Sequence, residues 1–140
     1  MAYIDTSVLV AYYCPEPRST QAEALLRADA DPVVSALTEV EVFSALSRKV
    51  REGVLSADDA AAIRGALLGH ISRGALRRVA VEAAHFKEAR DRIADPHLPL
   101  RTLDALHLAV ARLGALALVT ADPRLAIAAR ATGVEVVEVP

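Results

Sequence analysis

Cysteine is nearly absent from this chain: Cys14 is the only one in 140 residues. An internal disulfide and a cysteine-based zinc site are both excluded, and Cys14 reads as a small apolar core residue. Glycine is scarce and late. All six glycines lie at or after Gly53, so the first strand–helix turn has none. That excludes a dinucleotide fingerprint or a P-loop at its usual place. There is no Gly-x-Ser-x-Gly elbow, which argues against an α/β-hydrolase. Apolar residues make up 54% of the chain, yet no run approaches the roughly 18 residues that span a bilayer. The opening Met1-Ala-Tyr-Ile-Asp5 has no basic region and no signal-peptide core. The expectation is a soluble cytoplasmic protein with no membrane partner.

Strong positive charge is missing as well. The formal net charge is −2, unlike that of a protein dedicated to coating DNA. Of the 16 basic residues, 14 are Arg. Arg suits bidentate phosphate contacts, although Arg and Ala enrichment together are also what GC-rich codons produce. With no linker, charge block or internal repeat, the chain reads as a single domain, residues 1–140, long enough for a full core.

What is present is an alternation of short apolar runs with helical patterns. Strands are expected at Ala2–Ile4, Val33–Ser35, Arg78–Val81, Leu116–Thr120 and Val134–Val139. Helices are expected at Thr6–Tyr13, Ser19–Arg27, Leu37–Arg51, Ala57–Ile71, Glu82–Ala94, Thr102–Leu113 and Pro123–Arg130. Ser19, Ser56 and Thr102 are the expected caps, and Gly114 the expected stop. Strands alternating with helices imply an α/β fold with a mainly parallel sheet covered on both faces.

Four carboxylates stand out against that frame. Asp5 and Asp122 each close a strand and precede a helix, which places them at the carboxyl edge of a parallel sheet, where open α/β folds bind ligands. Asp104 lies in the first turn of a helix, on a largely apolar face with His107, Leu108 and Ala111. A buried, unpaired carboxylate there would be costly, so it needs an Arg, helix amides or a metal. Two carboxylates about 4 Å apart repel by roughly 4 kcal/mol at an effective dielectric near 20. A cation would remove that cost, and hard oxygen ligands select Mg²⁺ or Mn²⁺. Each acid also has a plainer reading. Asp5 and Asp122 could simply be N-caps, and periodicity does not decide between Glu39 and Glu41. His107 reads as a core or supporting histidine rather than a ligand, and the four histidines have no metal-ligand spacing.

Asp5-Thr-Ser-Val also opens like a haloacid-dehalogenase-type phosphatase, but those need a second Asp where this chain has Ser7. The whole set of motifs resembles another family. Asp5-Thr-Ser-Val-Leu9, Ser35 with its following Glu41, Leu103-Asp104-Ala-Leu-His-Leu-Ala109 and Val119-Thr-Ala-Asp122 are similar to the PIN-domain nucleases, and closest to the VapC toxins of toxin–antitoxin pairs. Leu125 departs from relatives that often carry an aromatic there.

The resemblance implies a PIN-like three-layer α/β/α fold and a ribonuclease that cleaves RNA with Mg²⁺ or Mn²⁺. Asp5, Glu41, Asp104 and Asp122 would hold the metal, with Ser7 and Thr120 as supporting hydroxyls. Arg101 and Arg124, near two of the acids in sequence, are candidates for the substrate phosphate. The implied partners are RNA, a small antitoxin inserting Arg or Lys towards Asp5 and Asp104, and a second copy in a homodimer. Apolar residues of the two middle helices, Leu37, Val40, Val42, Phe43, Leu46, Val50, Leu55, Ile63, Leu67, Leu68 and Ile71, are expected to leave surface for such contacts. The alternatives are a non-catalytic protein-binding module and a metal-dependent phosphatase.

Overall fold

The computed structural model describes residues 1–140. In chain order the elements are β1 (Ala2–Ile4), α1 (Thr6–Tyr13), α2 (Ser19–Ala28), β2 (Val33–Ser35), α3 (Ala36–Arg51) and α4 (Ala57–Ser72). Then follow β3 (Arg77–Val79), α5 (Ala83–Ile93), α6 (Thr102–Leu113), β4 (Ala117–Thr120), α7 (Pro123–Ala131) and β5 (Val136–Glu138). The strands form one sheet in the order β3-β2-β1-β4-β5, and every pairing is parallel.

Alternation along the strands builds the three layers. Ile4, Val34 and Val119 face the side covered by Val8 and Leu9 of α1, Val42 and Leu46 of α3, and Leu67 of α4. Tyr3, Val33 and Leu118 face the other side, against Leu108 and Ala111 of α6 and Leu125, Ala128 and Ala129 of α7. Helix α5 packs outside, with Ala89 against Ala105, Leu106 and Ala109 of α6. Each large apolar side chain so buried contributes about 1.5–3 kcal/mol.

Several element ends differ from the sequence expectation for local reasons. β3 runs Arg77–Val79 rather than Arg78–Val81, because its register pairs Arg77, Arg78 and Val79 with the three residues of β2. Beyond Ser35 the neighbouring chain has already turned into α3, so Ala80 and Val81 have no ladder partner. β4 starts at Ala117 rather than Leu116, whose amide donates to the Ala111 carbonyl at the end of α6 (2.8 Å). With β4 this short, β5 pairs only over Val136–Glu138. Neither Ser19 nor Thr102 is a cap: Arg18 and Arg101 hold those positions without a side-chain cap bond. The Ser19 hydroxyl instead closes the preceding turn, accepting from the Glu16 amide and donating to the Cys14 carbonyl. Ser56 does cap α4.

The end of α6 exchanges two expected roles. Gly114 is right-handed (φ −81°), and Ala115 takes the left-handed conformation (φ 51°). Gly114 is needed for space instead: a Cβ there would lie 3.0 Å from the Val110 carbonyl oxygen and 3.1 Å from Leu116 Cδ1. Gly114→Ala should therefore cost about 1–3 kcal/mol through overpacking. Ala115→Gly should stabilise by roughly 0.5 kcal/mol, because relief of left-handed strain outweighs the added freedom of the unfolded chain. Thermal denaturation of the two variants checks the opposite signs. Equal destabilisation would refute this account of the turn.

The surplus of apolar surface expected on α3 and α4 is mostly absent. Only Val40 (67%) and Leu68 (44%) of the residues named above are exposed. Val42, Leu46 and Leu67 are core. Phe43, Val50, Leu55, Ile63 and Ile71 pack against the same cluster, and Leu37 packs near α5 and α6. The helices cover one another and the sheet, so an apolar excess is no argument for self-association. No helix is long and apolar enough to cross a membrane.

The strand order locates a ligand crevice. From β1 the chain moves outward to β2 and β3; from β4 it moves the other way to β5. The connections leaving the carboxyl ends of β1 and β4 therefore diverge, and an open parallel sheet binds ligands at such a switch point. Asp5 and Ala121-Asp122 are the residues that leave those two strands.

Candidate active site

Asp5 is 5% exposed and caps α1. Its Oδ1 accepts from the Ser7 amide (2.7 Å), and its Oδ2 accepts from the Ser7 hydroxyl (2.9 Å). Oδ2 also accepts from the Thr120 hydroxyl at the end of β4. Ser7 Oγ in turn accepts from the Ala121 amide (3.0 Å), and Thr120 Oγ1 from the Asp122 amide (3.0 Å). The hydroxyls of Ser7 and Thr120 thus tie the first strand–helix turn to the fourth. Asp5 is a cap and also the centre of a buried polar cluster, so the plain and functional readings of this residue coexist.

Asp122 is likewise an N-cap. Its Oδ1 accepts from the amides of Arg124 (2.8 Å) and Leu125 (3.4 Å) at the start of α7. Its second oxygen faces a cation. Arg101 donates through Nε to Asp104 Oδ2 (2.8 Å) and through Nη2 to Asp122 Oδ2 (3.1 Å). One guanidinium therefore bridges two of the candidate acids, which answers the need for a partner at Asp104. The Arg101 side chain is 68% exposed. Hydrogen bonding and charge from Asp104, then the charge of Asp122, raise its already high pKa. The Arg124 side chain makes no hydrogen bond or ion pair; only its backbone amide meets Asp122.

Glu39 and Glu41 have separate fates. Glu39 lies beside β3 and pairs with Arg78 (2.8 Å). Glu41 turns to the carboxyl edge, where its Oε1 accepts from the Thr6 hydroxyl (2.8 Å) and from His107 Nε2. Burial pushes the Glu41 carboxyl up, but hydrogen bonding and charge from His107, the Thr6 hydroxyl and the charge of Arg101 together leave it below the usual range. His107 is 2% exposed and also bonds the Tyr3 hydroxyl through Nδ1 (2.6 Å). Burial pushes the Tyr3 phenol well above its ordinary pKa.

Thr6 and Tyr3 are the polar partners that sequence reasoning did not single out. Tyr3 carried one usable signal. Its neighbour Ile4 packs on the opposite face of the sheet, and a buried tyrosine hydroxyl needs a partner.

The donor chemistry suits a hard divalent cation. Asp5 and Asp122 leave their strands at the switch point, and a positively charged group bridges Asp122 to Asp104. Glu41 Oε2 and Asp104 Oδ1 make no hydrogen bond. As they stand, no three of the acids are grouped closely enough to share one ion.

A family model for the PIN domain matches residues 2–131, and the chain belongs to the PIN-domain family. Among solved structures it is similar to VapC20 from Mycobacterium tuberculosis, described as a sarcin-ricin loop cleaving toxin. That match has 19% identity and a TM-score of 0.74, covering 91% of this chain and 95% of the other. FitAcB from Neisseria gonorrhoeae is similar at 20% identity and a TM-score of 0.69, covering 97% and 96%. VapBC2 from Rickettsia felis, bound to promoter DNA, matches at 17% identity and a TM-score of 0.68, covering 99% and 98%. No curated protein matches the chain.

Proposed function

We propose that this chain is a metal-dependent endoribonuclease acting as the toxin of a toxin–antitoxin pair. The observation that carries the reading is the placement of Asp5 and Asp122 where the chain leaves β1 and β4 at the switch point, with Asp122 bridged to Asp104 by one cation. Membership of the PIN family and similarity to VapC20, described as a sarcin-ricin loop cleaving toxin, support it.

Asp5, Glu41, Asp104 and Asp122 would hold Mg²⁺ or Mn²⁺ once their side chains draw together around it, and the ion would supply an activated water and neutralise charge on the phosphoryl oxygens. Ser7 and Thr120 hold Asp5 in place through its Oδ2. Arg101 stands where it can transfer from the acids to a substrate phosphate, and Arg124 has its side chain free for the same purpose.

The proposed protein partners are a small antitoxin and a second copy of this chain. Similar structures include a toxin–antitoxin complex from Klebsiella pneumoniae and the VapBC2 assembly. Val40 and Leu103, next in sequence to Glu41 and Asp104, are both exposed and are the apolar side chains proposed for such a contact. Light scattering of the purified chain reads the dimer. Expression with the product of the adjacent gene reads the antitoxin, as relief of growth inhibition and as co-purification.

Incubating the purified chain with mixed RNAs in Mg²⁺, Mn²⁺ or EDTA tests the activity. Cleavage should appear with either ion and vanish in EDTA. Hydrolysis of a small chromogenic phosphate, with RNA left whole, would favour a phosphatase instead.

A further inference from the structure

The polar groups behind Glu41 form a connected chain that crosses the sheet. Ser35 ends β2 and caps α3, with its Oγ accepting from the Thr38 amide (3.3 Å). Thr38 Oγ1 accepts in turn from the Ser35 amide (3.2 Å). Both hydroxyls also meet the Tyr3 hydroxyl, at 2.8 Å and 3.2 Å. Tyr3 reaches His107 Nδ1, and His107 Nε2 reaches Glu41. Tyr3, Ser35 and Thr38 are fully buried, and no buried side-chain polar atom lacks a partner.

The capping box anchors the far end of this chain. Each hydroxyl of the box receives a backbone amide and also meets the Tyr3 oxygen, which is held between them. The Tyr3 hydroxyl fixes the ring through Nδ1, and His107 Nε2 donates to Glu41 Oε1. The second hydrogen bond to Oε1 comes from Thr6. One oxygen of Glu41 is therefore held by two donors while Oε2 has none, so a single carboxylate orientation is presented to a ligand.

We propose that Tyr3 and His107 are positioning residues: the relay from the α3 cap through Tyr3 and His107 locks the Glu41 carboxylate for RNA hydrolysis. The inference rests on the nuclease reading above. Nothing in the relay touches substrate, so its effect passes entirely through Glu41. Partners of this kind, behind a metal-binding side chain, typically govern about 10- to 100-fold of activity.

The experiment uses Tyr3→Phe, Glu41→Gln and the double variant. Tyr3→Phe keeps the ring in its packing site, and Ser35 and Thr38 can pair with each other, being already 3.2 Å apart. It should lower kcat about tenfold with KM for RNA unchanged. In the Glu41→Gln background it should change kcat little, because the group it positions has gone. Equal losses in both backgrounds would overturn the proposal, since a purely structural tyrosine acts the same in each.

NMR of the His107 ring nitrogens gives a second reading that needs no catalysis. Wild type should show a proton held on Nε2, and Tyr3→Phe should change the Nδ1 resonance and loosen that proton. An Nε2 without a proton, or nitrogen spectra unchanged by Tyr3→Phe, would also overturn the relay. If wild type cleaves no RNA, the nuclease reading falls and the nitrogen spectra alone decide whether the relay exists.

Discussion

Replacing Asp5 or Asp104 by asparagine is expected to lower RNA cleavage about a thousandfold while the fold survives. A carboxylate about 4 Å from a unit charge interacts by roughly 4 kcal/mol at an effective dielectric near 20. Each 1.36 kcal/mol is about a factor of ten in rate. Asparagine keeps the shape and removes the charge. At Asp5 the retained carbonyl can still accept the Ser7 amide that completes the α1 cap, while the amide nitrogen cannot accept from the Ser7 and Thr120 hydroxyls, which must turn to receive its protons instead. At Asp104 the loss is an exposed ion pair with Arg101, and such pairs contribute little to stability. Circular dichroism should stay close to wild type as cleavage disappears, with Tm unchanged for Asp104→Asn and lowered for Asp5→Asn, whose second oxygen accepts two buried hydroxyls. A variant that is folded and fully active would remove that acid from the site.

Substituting Arg101 by glutamine should tighten Mn²⁺ binding about tenfold and weaken RNA binding in the same protein. The guanidinium bridges Asp104 and Asp122, so an incoming divalent ion must displace it. Without Arg101 the two acids have lost their internal counter-ion, and metal meets no competitor. Because ligand binding stabilises the folded state by linkage, the Mn²⁺ concentration that raises Tm should fall. The same substitution removes a candidate phosphate contact, so KM for RNA should rise. Thermal titration and calorimetry with Mn²⁺ read the first effect without any turnover. An unchanged affinity for Mn²⁺ would mean that Arg101 and the ion occupy different places.

Most of the architecture can be read from short local signals. Pro15 and Pro17 follow the end of α1, Ser56 caps α4, and Pro123 opens α7. Asp5 and Asp122 are legible for the same reason, since an acid closing a short strand has few other places to be. Glu41 was not legible from periodicity. Helix α3 begins at the sheet edge, so its first turns meet the site and the flank of β3 as well as the core, and Glu39 finds Arg78 there. The bridge from Arg101 to Asp122 spans 21 residues, and no helical spacing announces it. The apolar residues of α3 and α4 misled in a different way. Their number is plain in the sequence, but whether the sheet and neighbouring helices cover them depends on how closely those helices pack.

The pairing of β1 with β4 carries a consequence for the order of events in synthesis. Tyr3 lies opposite Leu118, and Ile4 opposite Val119, at the centre of the sheet. Thr120, which bonds Asp5 across that seam, is separated from it by 115 positions. Contacts so distant along the chain close late and slowly, because loop entropy must be overcome first. A nascent or prematurely ended polypeptide lacking residues 117–122 has no β4, no Thr120 hydroxyl for Asp5 and no Asp122. The proposed site is thus assembled only after residues 117–122 have been made, and products that stop before them hold Asp5, Glu41 and Asp104 without the strand and acid that complete it.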